Sequence, residues 1–135
     1  MTALPATAAG AEGTPLDPLD DPNSAVAKRT VYFDFDSSTV RNEDRTVIEA
    51  HAAYLVARPS MTVTLECHAD ERGSREYNLA LGERRCLSVR QMLLLLGVAP
   101  AQIEMVSYGE EKPAVAGHDE SAWRLNRRVE FVYQR

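Results

Sequence analysis

The sequence predicts an α/β fold, a two-layer α+β sandwich in which helices cover one face of a mixed sheet in the order β-α-β-α-β-β. Three observations carry that prediction. Near the start, Val31, Phe33 and Phe35 alternate with Tyr32, Asp34 and Asp36, the period-two pattern of a half-buried strand. At the end, Val129, Phe131 and Tyr133 alternate in the same way with Arg128, Glu130 and Val132. Between them, Leu79, Gly82, Cys86, Val89, Leu93 and Leu96 recur at intervals of 3, 4, 3, 4 and 3, the apolar stripe of a long helix lying on a sheet.

The elements follow in order. The first strand ends at Ser37-Ser38, a turn composition. Asn42 is expected to cap a first helix, with Glu43 and Asp44 in the turn where the helix dipole favours anions. Val47, His51, Tyr54 and Leu55 mark its inner face and Pro59 stops it. Met61 to Cys67 reads as a second strand with Val63, Leu65 and Cys67 on one side. Ser74 is a plausible cap for the long helix, which Gly97 ends. Ile103 to Tyr108 reads as a third strand, followed by a loop with Pro113 and Gly117 and one helical turn near Ser121 to Leu125.

At 135 residues, the chain has room for one domain with one sizeable core. Residues 1–30 hold four of the seven prolines and no aromatic residue, too little apolar surface to offset the entropy of ordering them. They read as a linker, reaching about 30 Å as a flexible coil, and residues 31–135 as the folded domain. A net charge of -5 without a Lys/Arg block argues against a nucleic-acid or anionic-membrane surface. No apolar run approaches the roughly 18 residues of a membrane span. Cys67 and Cys86 are too few for a disulfide scaffold and are 19 residues apart, a spacing that fits no zinc pattern. Two small buried thiols are the expectation; a disulfide, the alternative, would require an oxidising compartment.

Polar groups gather after the strand ends: Asp36 with Ser37-Ser38, the run His68-Ala69-Asp70-Glu71-Arg72-Gly73, and Arg84-Arg85 in the following helix. Each also has a structural reading, as a turn former or a solvated helix face. Catalysis is not expected. The sequence lacks His-Glu-x-x-His, Cys-x-x-Cys and Gly-x-Ser-x-Gly, and nothing in it joins His68, Asp70 and Glu71 to His118 and Asp119 as a metal site. No phosphate-cradling glycine loop is present, and no cofactor is implied.

Five stretches, taken in order, are more specific. They are Val31 to Asp36, His68 to Gly73, Glu76 to Arg85, Val106 to Pro113, and Asn126-Arg127-Arg128. Together they resemble the C-terminal domain of outer membrane protein A, the OmpA-like family, and within it the peptidoglycan-associated lipoproteins of the Tol–Pal system. The family pattern Asp-x-x-Gly, then Asn, then Leu-x-x-x-Arg is matched by Asp70, Gly73, Asn78, Leu81 and Arg85.

The resemblance implies a non-catalytic domain that binds peptidoglycan non-covalently through meso-diaminopimelate of the stem peptide. Asp70 and Arg85 match its ligand residues. Asp36 borders the site, Ser37 and Ser38 are expected to present backbone N–H groups to the ligand, and Arg72 contributes from the Asp70 loop. Gly73, Asn78 and Leu81 have supporting roles. The resemblance also implies a lipid anchor in the outer membrane, facing the periplasm, although no signal peptide or anchoring cysteine is present in this chain. The β-propeller TolB is the implied partner, in a system that serves envelope integrity and cell division. A barrel-attached or flagellar-motor domain of the same family is the neighbouring alternative, and a metal-dependent cell-wall hydrolase the distant one.

Diaminopimelate ends in an ammonium and a carboxylate on one carbon, so its recognition calls for an anion and a cation a few ångströms apart. Arginine suits the cation's place because its planar fork can hold a carboxylate by two hydrogen bonds. Asp70 and Arg85 are accordingly expected to form a clasp. Removing either is expected to abolish binding at little cost in stability.

Overall fold

The computed structural model describes residues 16–134. Seven elements build one four-stranded sheet and its cover: β1 (Thr30–Tyr32), α1 (Arg45–Val56), β2 (Thr62–His68), α2 (Arg75–Leu95), β3 (Ile103–Gly109), α3 (Glu120–Asn126) and β4 (Arg128–Gln134). Single 3-10 turns lead into α1 at Asn42–Asp44 and into β3 at Pro100–Gln102. The strand order is β1-β4-β2-β3. β4 runs antiparallel to both β1 and β2, whereas β2 and β3 are parallel, joined by α2 as a crossover. The sheet is therefore mixed, as the order of strands and helices predicts.

Val63, Leu65 and Cys67 of β2 point to one face, with Val129 and Phe131 of β4 beside them. That face meets Val47, Ile48, Ala52 and Leu55 of α1 and Cys86, Val89 and Leu93 of α2 in one continuous core. Ser74 caps α2 by accepting a hydrogen bond from the Tyr77 N–H. Gly82 lets α2 approach β2 closely, because a Cβ there would collide with Ser107 Oγ and come within 3.2 Å of the Cys67 carbonyl. Asn42 does not cap α1: the 3-10 turn absorbs it, and Asp44 precedes the α-helix. Asp44 instead pairs with Arg41 at 3.1 Å and accepts the Tyr32 N–H, tying the helix start to β1.

Two expectations are corrected. First, Cys67 and Cys86 are not thiols but a disulfide that links β2 to α2, and their Cα atoms lie 5.7 Å apart, within the usual range for such a bridge. The two residues face each other because both belong to the buried sides of their elements. Second, the folded region does not begin at residue 31. Leu19 and Val26 are buried in the main core. The Asp17 carboxylate accepts from the Tyr54 hydroxyl at 2.9 Å, and the Leu19 and Lys28 carbonyls are held by Arg29 and His51. The first half of the expected linker, residues 1–15, lies outside the described residues.

Candidate functional site

The loops that follow β1 and β2 lie beside the start of α2 and α3, and a cavity of about 180 Å³ opens between them. Phe35, Asp36, Asp70, Arg72, Gly73, Tyr77 and Leu81 line it. Of the expected site residues, Asp36, Asp70, Arg72, Gly73 and Leu81 meet here. Phe35, Tyr77 and Leu81 supply apolar walls. Asp36 adopts a left-handed φ of 53°, a conformation aspartate tolerates better than most residues, and its carboxylate accepts a hydrogen bond from the Tyr77 hydroxyl.

Asp70 is the buried anion of the site, 5% exposed. Its Oδ1 accepts from the Arg72 backbone N–H at 3.0 Å and from Arg72 Nε at 3.3 Å, while Oδ2 accepts from Arg72 Nη2 at 2.8 Å. Arg127 adds a further hydrogen bond to Oδ2 at 3.4 Å. Burial works to raise the Asp70 carboxyl, but the hydrogen bonds from Arg72 and Arg127 outweigh it and hold the group below its ordinary range. Asp70 is thus ionised at neutral pH and already paired.

The Arg72 guanidinium is stacked between two rings, 3.8 Å from the centroid of Phe35 and 4.0 Å from that of Trp123. Its second carboxylate neighbour is Glu120, at 3.9 Å. Arg127 lies deeper, donating to the Phe33 carbonyl at 2.8 Å and holding Glu120 with two hydrogen bonds, at 3.2 and 2.8 Å. The Asn126-Arg127-Arg128 run belongs to the stretches quoted above, but nothing in its local pattern assigned Arg127 a place beside Asp70.

Arg85 departs from its expected position. It is 0% exposed, and its guanidinium is directed at three backbone carbonyls: Ser37 at 2.8 Å, His68 at 2.9 Å and Asp34 at 3.1 Å. Burial lowers its pKa to about 10, against the supporting charges of Asp70 and Asp36, so it remains charged at neutral pH. A buried cation without a carboxylate ligand requires other acceptors, and these carbonyls provide them. The effect is to pin the loop after β1 to the end of β2.

Ser37 and Ser38 do not line the cavity, and the Ser37 N–H is taken up by the Asp34 carbonyl at 3.2 Å. Asn78 donates to Glu110 at 2.7 Å, joining the start of α2 to the loop after β3. Glu71 and His118, distant in sequence, do meet, at 2.8 Å, and Glu71 also accepts from the Trp123 indole at 2.8 Å. Among the described residues, no group of three His, Cys, Asp or Glu side chains is arranged to hold a metal ion. No helix among them is long and apolar enough to cross a membrane.

Residues 32–127 match the OmpA family. A peptidoglycan-associated lipoprotein of Pseudomonas aeruginosa is 50% identical over 113 residues, which is 84% of this chain and 67% of that protein. One from Pseudomonas putida is 52% identical over 102 residues, 76% of this chain and 61% of that protein. The chain therefore spans about two thirds of the length of these curated relatives. The crystal structure of the peptidoglycan-associated lipoprotein from Burkholderia pseudomallei superposes with a TM-score of 0.86 at 52% identity, covering 87% of this chain and 100% of that one.

Proposed function

Because the chain belongs to the OmpA family, among its peptidoglycan-associated lipoproteins, we propose that this domain binds peptidoglycan non-covalently through the diaminopimelate of the stem peptide, and catalyses nothing. The cavity's layout is the observation that carries this reading. A buried carboxylate and a guanidinium share a space of about 180 Å³, with Phe35, Tyr77 and Leu81 as walls. That volume is small beside the roughly 300–1,000 Å³ of pockets that enclose a whole ligand, so it suits one end of an extended molecule. The methylene stem of diaminopimelate fits the apolar walls, and its terminal ammonium and carboxylate fit Asp70 and the arginines. In this reading Arg85 acts from beneath, fixing the Asp34–Ser37 and His68 carbonyls and adding positive potential. Asp36 borders the entrance.

The same reading places the protein at the periplasmic side of the outer membrane, lipid-anchored, as a tether within the Tol–Pal system with TolB as partner. The names of the relatives support the envelope location. So does the Cys67–Cys86 disulfide, since such bonds persist in oxidising compartments. Calorimetric titration of the chain with a diaminopimelate stem tripeptide and with its lysine counterpart tests the proposal. Binding of the first, at least about tenfold tighter than the second, is expected. Absence of binding by either, or metal-dependent release of muropeptides, would refute it.

A further inference from the structure

We propose that Arg72 is the residue that discriminates diaminopimelate from lysine, and that it does so by changing partners when the ligand enters. The inference rests on the peptidoglycan reading above and concerns the same cavity. Arg72 is the one cation among the residues that line the cavity. Arg85 is fully enclosed, and the Arg127 side chain, 6% exposed, is engaged with Glu120 and the Phe33 carbonyl. The Arg72 side chain, 31% exposed, is the guanidinium a ligand can reach.

Arg72 occupies the place a ligand ammonium would take, because it bonds both oxygens of Asp70. An incoming ammonium must therefore displace it. A lysine side chain offers only that ammonium. It takes Asp70 and leaves Arg72 with only the exposed Glu120, already 3.9 Å away, so the exchange brings the displaced group no new partner. The zwitterionic end of diaminopimelate supplies both halves. Its ammonium replaces Arg72 at Asp70, and its carboxylate, one carbon away, takes the displaced guanidinium. The exchange thus adds an ion pair that lysine cannot supply.

Phe35 and Trp123 keep the Arg72 guanidinium beside the cavity, 3.8 and 4.0 Å from their ring centroids, while its N–H groups change carboxylates. Fold retention on losing Arg72 is also expected, since Arg127 continues to neutralise Asp70.

The test is an Arg72→Gln variant of the whole chain, titrated with the two stem tripeptides, diaminopimelate-containing and lysine-containing. Affinity for the diaminopimelate peptide should fall about tenfold or more, the value of a charge-assisted pair. Affinity for the lysine peptide should stay level or rise, because Asp70 no longer has to be vacated. Opposite responses are the signature of exchange; a structural arginine would weaken both. Arg72→Lys, which keeps the charge without the planar fork, should lose part of the discrimination and guards against a folding defect in the glutamine variant. Equal loss for both peptides, or unchanged diaminopimelate binding, would overturn the role of Arg72 alone. Failure of the unaltered chain to bind either peptide would overturn the peptidoglycan reading, and this inference with it.

Discussion

Replacing Arg85 by alanine should cost stability as well as binding, the reverse of what a ligand-facing arginine would do. The guanidinium donates to the carbonyls of Ser37, His68 and Asp34 at 2.8, 2.9 and 3.1 Å. Hydrogen bonds to a charged group each contribute about 1.5–3 kcal/mol, and a buried acceptor left alone costs about 1–3 kcal/mol. The His68 carbonyl is bonded in buried surroundings, whereas the Asp34 and Ser37 bonds lie nearer the surface, where water can replace the lost donor. Discounting those two, the net loss is about 4 kcal/mol. For a domain of this size that corresponds to a fall in melting temperature of about 15 °C. Thermal unfolding followed by circular dichroism, run beside a peptidoglycan pull-down, measures both quantities. Asp70→Asn is the contrasting variant. It should abolish pull-down with a much smaller change in melting temperature, because Arg127 keeps Glu120 and the Phe33 carbonyl as partners. If Arg85→Ala melts within about 3 °C of the unaltered chain, the three carbonyl bonds do not hold the two loops together and the reasoning fails.

Three further outcomes are expected. His68 is buried, stacked on Tyr108, and has no hydrogen-bond partner on either ring nitrogen among the described residues; burial, with Arg128 and Lys112 against the opposing Glu130, lowers its pKa to about 4. The folded state thus refuses a proton that the unfolded chain accepts near its ordinary value, so stability is level above pH 7. It should fall by about 3 kcal/mol between pH 6.5 and 4, and in His68→Leu that slope should flatten in urea unfolding across the same range. Intact mass spectrometry should find the chain about 2 Da lighter than its dithiol form, and opening the Cys67–Cys86 bridge should cost about 3 kcal/mol for a loop of this length. Leu19→Ala should destabilise by about 2–3 kcal/mol, as a core position does, whereas a linker residue would show no change in urea midpoint.

Most strands and helices were legible because each has a period of its own, and the loop carrying Asp70 was legible because strand ends followed by polar runs are few. The first strand is the exception: its alternation runs on to Asp36, but the strand ends at Tyr32 and Phe35 is exposed. What escaped prediction depends on contacts between residues distant in sequence. Residues 16–29 read as a linker from their prolines, yet two apolar side chains and a few hydrogen bonds to α1 are enough to dock them, and composition averages such anchors away. Arg127 stands 57 residues from the carboxylate it supports, and no local pattern connects them. Arg85 is a different case, because the signal was present. Leu81, Arg85 and Val89 are spaced by four, which puts all three on the buried side of one helix. Its charge suggested an outward direction, and helical geometry prevailed because three carbonyls were within reach to receive it. On the peptidoglycan reading proposed above, the two arginines divide the labour. Arg85 holds the loops in place through three carbonyls, and Arg72, paired with Asp70 at the cavity, is the one left to meet the ligand's carboxylate.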